Sequence, residues 1–378
     1  MGTDDGLIHI SEDGGESWRK IESEDVGDVP ELTYVSCLHA SPVDPDVVFA
    51  TFDNHKQGDF APYVFRSDNR GKRWTKVSGD LPERDIAYAI RQDHEDEDLI
   101  FVGTEFGVYF TVDGGDHWVK MSGVPTIAVK DLEIQRREND VVLGTFGRGF
   151  YVFDDYSPLR DVDEDTVEDE ATLFGVKDAP LYIQWSRLGS NDGKGSQGAS
   201  YYTAANPPYG AVFTYHLAEG FKSLKDLRLD AENEAIEEEE DWDYPSVEDS
   251  RAEDREIDPA VILTVRDDSG NVIQRVKGKS GKGFHRVAWD LRFPYEGPVS
   301  LSGNSVPYWA MPPRGPLVAP GTYSVTLDLI KDGATAPLQG PETFEVYALD
   351  HATFASDDPA ADLAIHQEAA NLHRAVAG

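Results

Sequence analysis

Chemistry in this chain would have to come from carboxylates and from the few basic and aromatic side chains beside them. Asp and Glu supply 71 of the 378 residues against 34 Lys and Arg, a formal charge of −37. A carboxylate pair at a fixed separation, one member held protonated, can hydrolyse a glycosidic bond. Carboxylates this abundant do not single out a pair, so no catalytic residue is assigned. The single cysteine, Cys37, cannot form an intrachain disulfide or a thiolate cluster. No P-loop, G-x-S-x-G, H-E-x-x-H or zinc-type spacing occurs, and neither a cofactor nor a metal is expected. What remains is DNHKQGDFAPY (53–63), which puts Asp53, His55, Lys56, Phe60 and Tyr63 in one stretch, a mixture suited to stacking on a sugar ring. A longer solvated loop is the plainer reading of it. Glu105-Phe106 and the Phe146–Arg148 stretch repeat the combination further on. Arg148, between two glycines, fits a salt bridge to a neighbouring repeat as well as a ligand contact.

The elements that position these groups are set by a short pattern that occurs three times. Ser11, Asp13, Gly15 and Trp18 form the first copy; Ser67, Asn69, Gly71 and Trp74 the second; Thr111, Asp113, Gly115 and Trp118 the third. Each is S/T-x-D/N-x-G-x-x-W between two β-type runs. The Asp or Asn can accept backbone N–H bonds in a hairpin turn, the Gly supplies positive φ, and the Trp opens the next strand. Upstream of each turn lies a strand ending in Gly2-Thr3, Ala50-Thr51 or Gly103-Thr104, with Gly144-Thr145 in a fourth unit. A unit is four short strands, and the Trp18–Trp74 and Trp74–Trp118 spacings are 56 and 44 residues. Periods of that size with four strands read as β-propeller blades.

In an up-and-down blade the patterned turn joins strands three and four at one end. The loops between strands two and three, and the connectors between blades, fall at the other end. That second end gathers Asp4, Asp5, the 53–63 loop, Glu105, Phe106, Phe146 and Arg148. The ligand-face candidates are therefore Asp53, His55, Phe60, Tyr63, Glu105, Phe106 and Arg148, and the twelve pattern residues are structural. About three and a half blades are visible, too few to close a ring of the usual size. The array therefore predicts that further blades of the same protein precede Met1 and are partners of this part.

The acidic balance argues against nucleic acid, since neutralising phosphates needs clustered Lys and Arg, and it fits solubility or a cation-rich surface. No apolar run reaches the roughly 20 residues of a membrane span. Domain boundaries are expected at 1–158 for the blades, 159–200 for an acidic and Gly/Ser-rich linker, 201–350 for a β-sandwich and 351–378 for a helical tail. The sandwich strands are 210–217, 260–267, 271–278, 284–293, 321–330 and 343–349, with Phe213, Val265, Val287, Trp289, Tyr323 and Val325 as core. The insertion 230–258 carries 15 acidic residues, repels itself, and reads as a solvated loop.

The three turns resemble the Asp-box, or BNR, repeat. GTFGRGFYVFDDYSPLR (144–160), followed by FHRVAWDLRFP and PLVAPGTYSVTL, resembles the C-terminal part of large bacterial BNR-repeat propeller proteins described as glycosyl hydrolase-like or sortilin-like. The likeness covers nearly the whole chain. It implies an all-β protein, a partial Asp-box propeller followed by an immunoglobulin- or fibronectin-like sandwich and a short helix, placed in the extracellular space or periplasm. It leaves two functions open. One is carbohydrate binding, with hydrolysis possible only if catalytic residues lie partly outside this sequence. The other is a sortilin-like scaffold for an extracellular protein or peptide, without chemistry. Stacking on sugars would survive added salt, whereas capture of a basic segment by Asp4, Asp5 and Glu105 would not.

Overall fold

A computed structural model of the chain describes residues 1–184, 202–242, 244–297, 314–349 and 356–377. The chain divides into two compact units, Met1–Asp163 and Glu164–Gly378. Among the described residues no helix is long and apolar enough to cross a membrane.

The first unit is a series of antiparallel meanders. β1 (Ile8–Ile10) and β2 (Arg19–Ile21) pair, with Gly2 bridging to Ile8. A four-stranded sheet follows: β3 (Tyr34–Ala40), β4 (Val48–Asp53), β5 (Tyr63–Ser67) and β6 (Thr75–Lys76). The next is β7 (Ala87–Gln92), β8 (Ile100–Thr104), β9 (Gly107–Thr111) and β10 (Val119–Lys120). The last has three strands, β11 (Val129–Gln135), β12 (Asp140–Thr145) and β13 (Phe150–Phe153). Each sheet runs in sequence order, as propeller blades do. Inner strands are buried on both faces and therefore read as continuous apolar runs. In β8, Ile100 and Val102 pack with Phe49 and Val64 of the preceding sheet, while Phe101 packs with Leu132 and Leu143 of the following one. The Gly-Thr pattern has a steric cause: a Cβ on Gly103 would lie 2.8 Å from the carbonyl of Val129, in the next sheet.

The three patterned turns share one hydrogen-bond scheme. The backbone N–H groups of Gly15, Gly71 and Gly115 donate to Ser11 Oγ, Ser67 Oγ and Thr111 Oγ1 at 2.7, 2.8 and 3.1 Å. Two residues on, Asp13, Asn69 and Asp113 accept from the N–H groups of Ser17, Arg73 and His117 at 2.8–3.0 Å. The hydrogen bonds from Ser17 hold the Asp13 carboxyl at about 2. Burial raises Asp113, but bonds from His117 and Thr111 outweigh it and bring it to about 2. The tryptophans are not equivalent in burial. Trp118 is 7% exposed against Val77 and Leu81, in the connector that leaves the preceding sheet after β6, and its Nε1 donates to the Val77 carbonyl at 3.1 Å. Trp74 is half-buried, and Trp18, with no sheet before it among the described residues, is 50% exposed.

The second unit is a β-sandwich. One sheet is ordered β14 (Ala171–Leu173), β16 (Ala211–Leu217), β19 (Gly283–Trp289). The other is β15 (Ala179–Leu181), β21 (Ala334–Ala348), β20 (Gly321–Lys331), β17 (Ala260–Asp267), β18 (Val272–Lys277). Their inner faces share one core, in which Phe213 meets Phe344 and Trp289 meets Tyr323 edge-on. Of the expected core, Phe213, Val265, Trp289, Tyr323 and Val325 are buried and Val287 is half-buried. β14 and β15 lie in the stretch read as linker, where neither strand is long enough to show alternation. The Gly/Ser-rich run 187–200 lies outside the described residues.

The acidic insertion differs from expectation: it is helical rather than a solvated loop. Helices span Leu224–Glu237 and Val247–Arg255. Ser223 with Asp226, and Ser246 with Asp249, form capping boxes whose carboxylates also favour the positive helix N-termini. Arg228 ties the helices together, 2.7 Å from Glu253. A further helix spans Pro359–Ala377.

Candidate functional site

At the end of the sheets opposite the patterned turns, a cleft of about 430 Å³ opens in the first unit. Its lining comes from three kinds of segment. The loops between second and third strands supply His55, Phe60, Glu105, Phe106 and Phe146; the β6–β7 connector supplies Arg84 and Ile86; the first strands supply Tyr88 and Lys130, with Ala128 just before β11.

The 54–62 loop is an ordered structure centred on Asp59. That carboxylate accepts from Asn54 Nδ2 at 3.0 Å, the Ala61 N–H at 3.1 Å and the Tyr63 hydroxyl at 2.8 Å. Burial raises the Asp59 carboxyl, but these three bonds outweigh it and hold it below its ordinary value. Tyr63 thus faces inward and is 7% exposed, leaving Phe60, 38% exposed, at the cleft. The Arg84 guanidinium lies over the Phe60 ring, 5.2 Å from its centroid. His55 is drawn back by Asp53, whose carboxylate it meets through Nδ1 at 2.7 Å.

The Glu105-Phe106 turn is set by a residue that sequence reasoning passed over. Asp85 is buried and accepts from the Phe106 N–H at 3.1 Å, which fixes the turn and presents the Phe106 ring. Burial pushes the Asp85 carboxyl up, and bonds from Thr104, Phe106 and Tyr109 only partly offset it. On the cleft wall, the Tyr88 hydroxyl donates to Glu105 Oε2. The Lys130 ammonium sits 3.1 Å from the Tyr88 ring centroid and 3.9 Å from Glu105. Burial, then the bond to Glu105, push the Tyr88 phenol up, so it keeps its proton. Burial lowers Lys130, opposed by Glu105 and Asp53.

Of the seven ligand-face candidates, the cleft brings together His55, Phe60, Glu105 and Phe106. Asp53 stands behind His55, Tyr63 is turned into the sheet, and Arg148 is exposed outside the lining. Arg84, Tyr88 and Lys130 had no local signal, because only contact between sheets brings them to one place. Among the lining residues Glu105 is the one carboxylate, and it is bonded to Tyr88. A hydrolytic pair, with two carboxyl groups flanking the scissile bond, does not line this cleft. Among the described residues no group of three His, Cys, Asp or Glu side chains is placed to hold a metal. The arrangement can stack on flat apolar faces and donate hydrogen bonds from Arg84, Lys130 and His55.

No family model and no curated protein matches the sequence. Among solved structures, the chain is similar to a GH74 enzyme from Niastella koreensis, at 16% identity and TM-score 0.33, over 40% of this chain and 26% of that one. It is similar to the GH74 xyloglucanase from Xanthomonas campestris at 12% identity and TM-score 0.34, over 90% of this chain and 43% of that one. It is also similar to YCF48 bound to a D1 peptide, at 13% identity and TM-score 0.32, over 41% of this chain and 47% of that one. The chain thus spans less than half the length of each of these structures.

Proposed function

We propose that the first unit, with its blades in residues 1–158, is a carbohydrate-binding propeller module of an exported protein, and that the sugar sits in the cleft opposite the patterned turns. On this reading the turns are Asp boxes with a structural role only. The observation that carries the proposal is the convergence of Phe60, Phe106 and Phe146 on one cleft while staying 38, 45 and 71% exposed. Exposed aromatic rings leave apolar surface in water, a cost that a partner with flat C–H faces relieves. Sugars carry such faces, and their hydroxyls suit the donors of Arg84, Lys130 and His55 at the same wall. A cleft of about 430 Å³ lies within the roughly 300–1,000 Å³ of small-ligand sites. With one carboxylate lining it, already bonded to Tyr88, the cleft supports binding rather than hydrolysis.

Glycan-array binding of the protein, repeated with Phe106→Ala and Phe146→Ala, tests this. The expected result is glycan signal that both substitutions reduce. No glycan signal, alongside capture of a peptide ligand, would overturn it in favour of a protein-binding scaffold.

A further inference from the structure

The cleft carries the opposite electrostatic character from the chain around it. Acidic residues outnumber Lys and Arg 71 to 34, yet the lining holds Arg84 and Lys130 against Glu105 alone, with His55 already bonded to Asp53 behind it. Most guanidinium groups of the first unit are committed to carboxylates. Arg66 is 2.6 Å from Asp68, Arg70 2.6 Å from Asp46, Arg91 3.2 Å from Glu133 and Arg160 2.8 Å from Asp93. Arg84 is exposed and makes no hydrogen bond or ion pair with any described residue; its one contact of this kind is the stack on Phe60. That contact holds the guanidinium beside the Phe60 ring and leaves its N–H groups without a partner among the described residues.

The cleft's single negative charge is already answered. Glu105 accepts from Tyr88 and lies 3.9 Å from the Lys130 ammonium. The hydroxyls of a neutral sugar can accept from Arg84 but bring no negative charge to meet the guanidinium. A planar carboxylate matches it with two parallel hydrogen bonds, which a lysine could not reproduce. The aromatic rims at Phe60, Phe106 and Phe146 then take the rings that carry the carboxylate.

We propose that this cleft selects carboxylated sugars, the uronic acid residues of an anionic polysaccharide, and that Arg84 is the residue that reads the carboxylate. The inference rests on the carbohydrate reading above and goes beyond it in naming the sugar class. It also reverses the salt behaviour expected from stacking alone.

The test is calorimetric titration of the full chain with short oligomers of galacturonic, glucuronic and mannuronic acid, each beside its methyl ester. Esterification removes the charge and keeps the rings. At least one acid should bind about tenfold more tightly than its own ester, a difference typical of a bidentate charged pair in partial contact with water. Added salt should erode the advantage of the acid and leave the ester unchanged. Arg84→Gln should remove most of the preference, weakening the acid clearly more than the ester, without moving the melting temperature. Arg84→Lys should recover only part of the preference. Equal binding of acids and esters, binding of neutral sugars only, or a preference that survives Arg84→Gln would overturn this inference and leave the carbohydrate reading standing. Silence of every acid and ester, together with a blank glycan array, would defeat both.

Discussion

Phe146 and Lys130 stand on the three-stranded sheet, and that sheet is fastened to its neighbour by a buried charge. Asp93, at the end of β7, is 0% exposed. Arg160, beyond β13, donates to both its oxygens, from Nε at 2.8 Å and Nη2 at 2.9 Å. The Tyr156 hydroxyl donates as well, and the N–H groups of Asp96 and Glu95 add bonds at 2.9 and 3.1 Å. Arg160→Met would leave a buried carboxylate without its counter-charge, a loss that costs about 3–5 kcal/mol. Three donors remain, so about 3 kcal/mol, the low end, is expected. The Arg160–Glu95 pair, with Glu95 59% exposed, adds little. At 2–4 °C per kcal/mol for a unit of this size, the transition should fall by roughly 6–12 °C. Urea unfolding followed by tryptophan fluorescence would measure it. Adding Asp93→Asn should recover part of the loss, because it removes the stranded charge. A cost under about 1 kcal/mol, or no recovery in the double variant, would refute the reasoning.

Acid stability follows from the same site. Burial raises the Asp93 carboxyl, but the Arg160 and Tyr156 bonds outweigh it and lower it from 3.8 to about 2. A depressed carboxyl stabilises the fold above its unfolded value, here by about 2 kcal/mol, and that contribution should fade as pH falls from about 4 towards 2; in Arg160→Met the pH slope there should shrink. Trp118→Ala should cost about 3–5 kcal/mol, Trp74→Ala less, and half-exposed Trp18→Ala roughly 1 kcal/mol, ranked by urea midpoints. Gly71 and Gly14 both have φ near +72°, yet a Cβ on Gly71 would lie 2.4 Å from Ile10 Cδ1 while one on Gly14 meets nothing within 4 Å. Gly71→Ala should therefore destabilise clearly more than Gly14→Ala, whose cost of about 1 kcal/mol comes from backbone strain alone. Phe146→Ala should weaken sugar binding about tenfold with no change in melting temperature, since the ring is 71% exposed.

Much of the fold was legible because it repeats. The patterned turns carry their side-chain acceptors and glycine locally, so three copies place three hairpins, and strand parity then places the loops at two ends. The burial of each tryptophan was not legible, because it depends on which sheet precedes it. β14 and β15 were hidden because strands of three residues get their identity from pairing with β16 and β21. The acidic helices were misread by weighing charge repulsion over capping, although Ser223–Asp226 and Ser246–Asp249 were visible signals. At the cleft, loop residues such as Phe60 and Phe106 could be found from topology. Tyr63 could not be separated from them, since its inward turn depends on the bond to Asp59. Arg84, Tyr88 and Lys130 lie in a connector and two first strands, and nothing in their local sequence marks them.

A crystal structure of the chain soaked with a sugar from the binding panel tests the central claim most directly, because it locates the ligand. The account predicts a pyranose ring stacked on Phe106 or Phe146, with its polar substituents within hydrogen-bond distance of Arg84 and Lys130. Sugar bound at the patterned-turn end of the sheets or on the β-sandwich, with the cleft holding none, would contradict it.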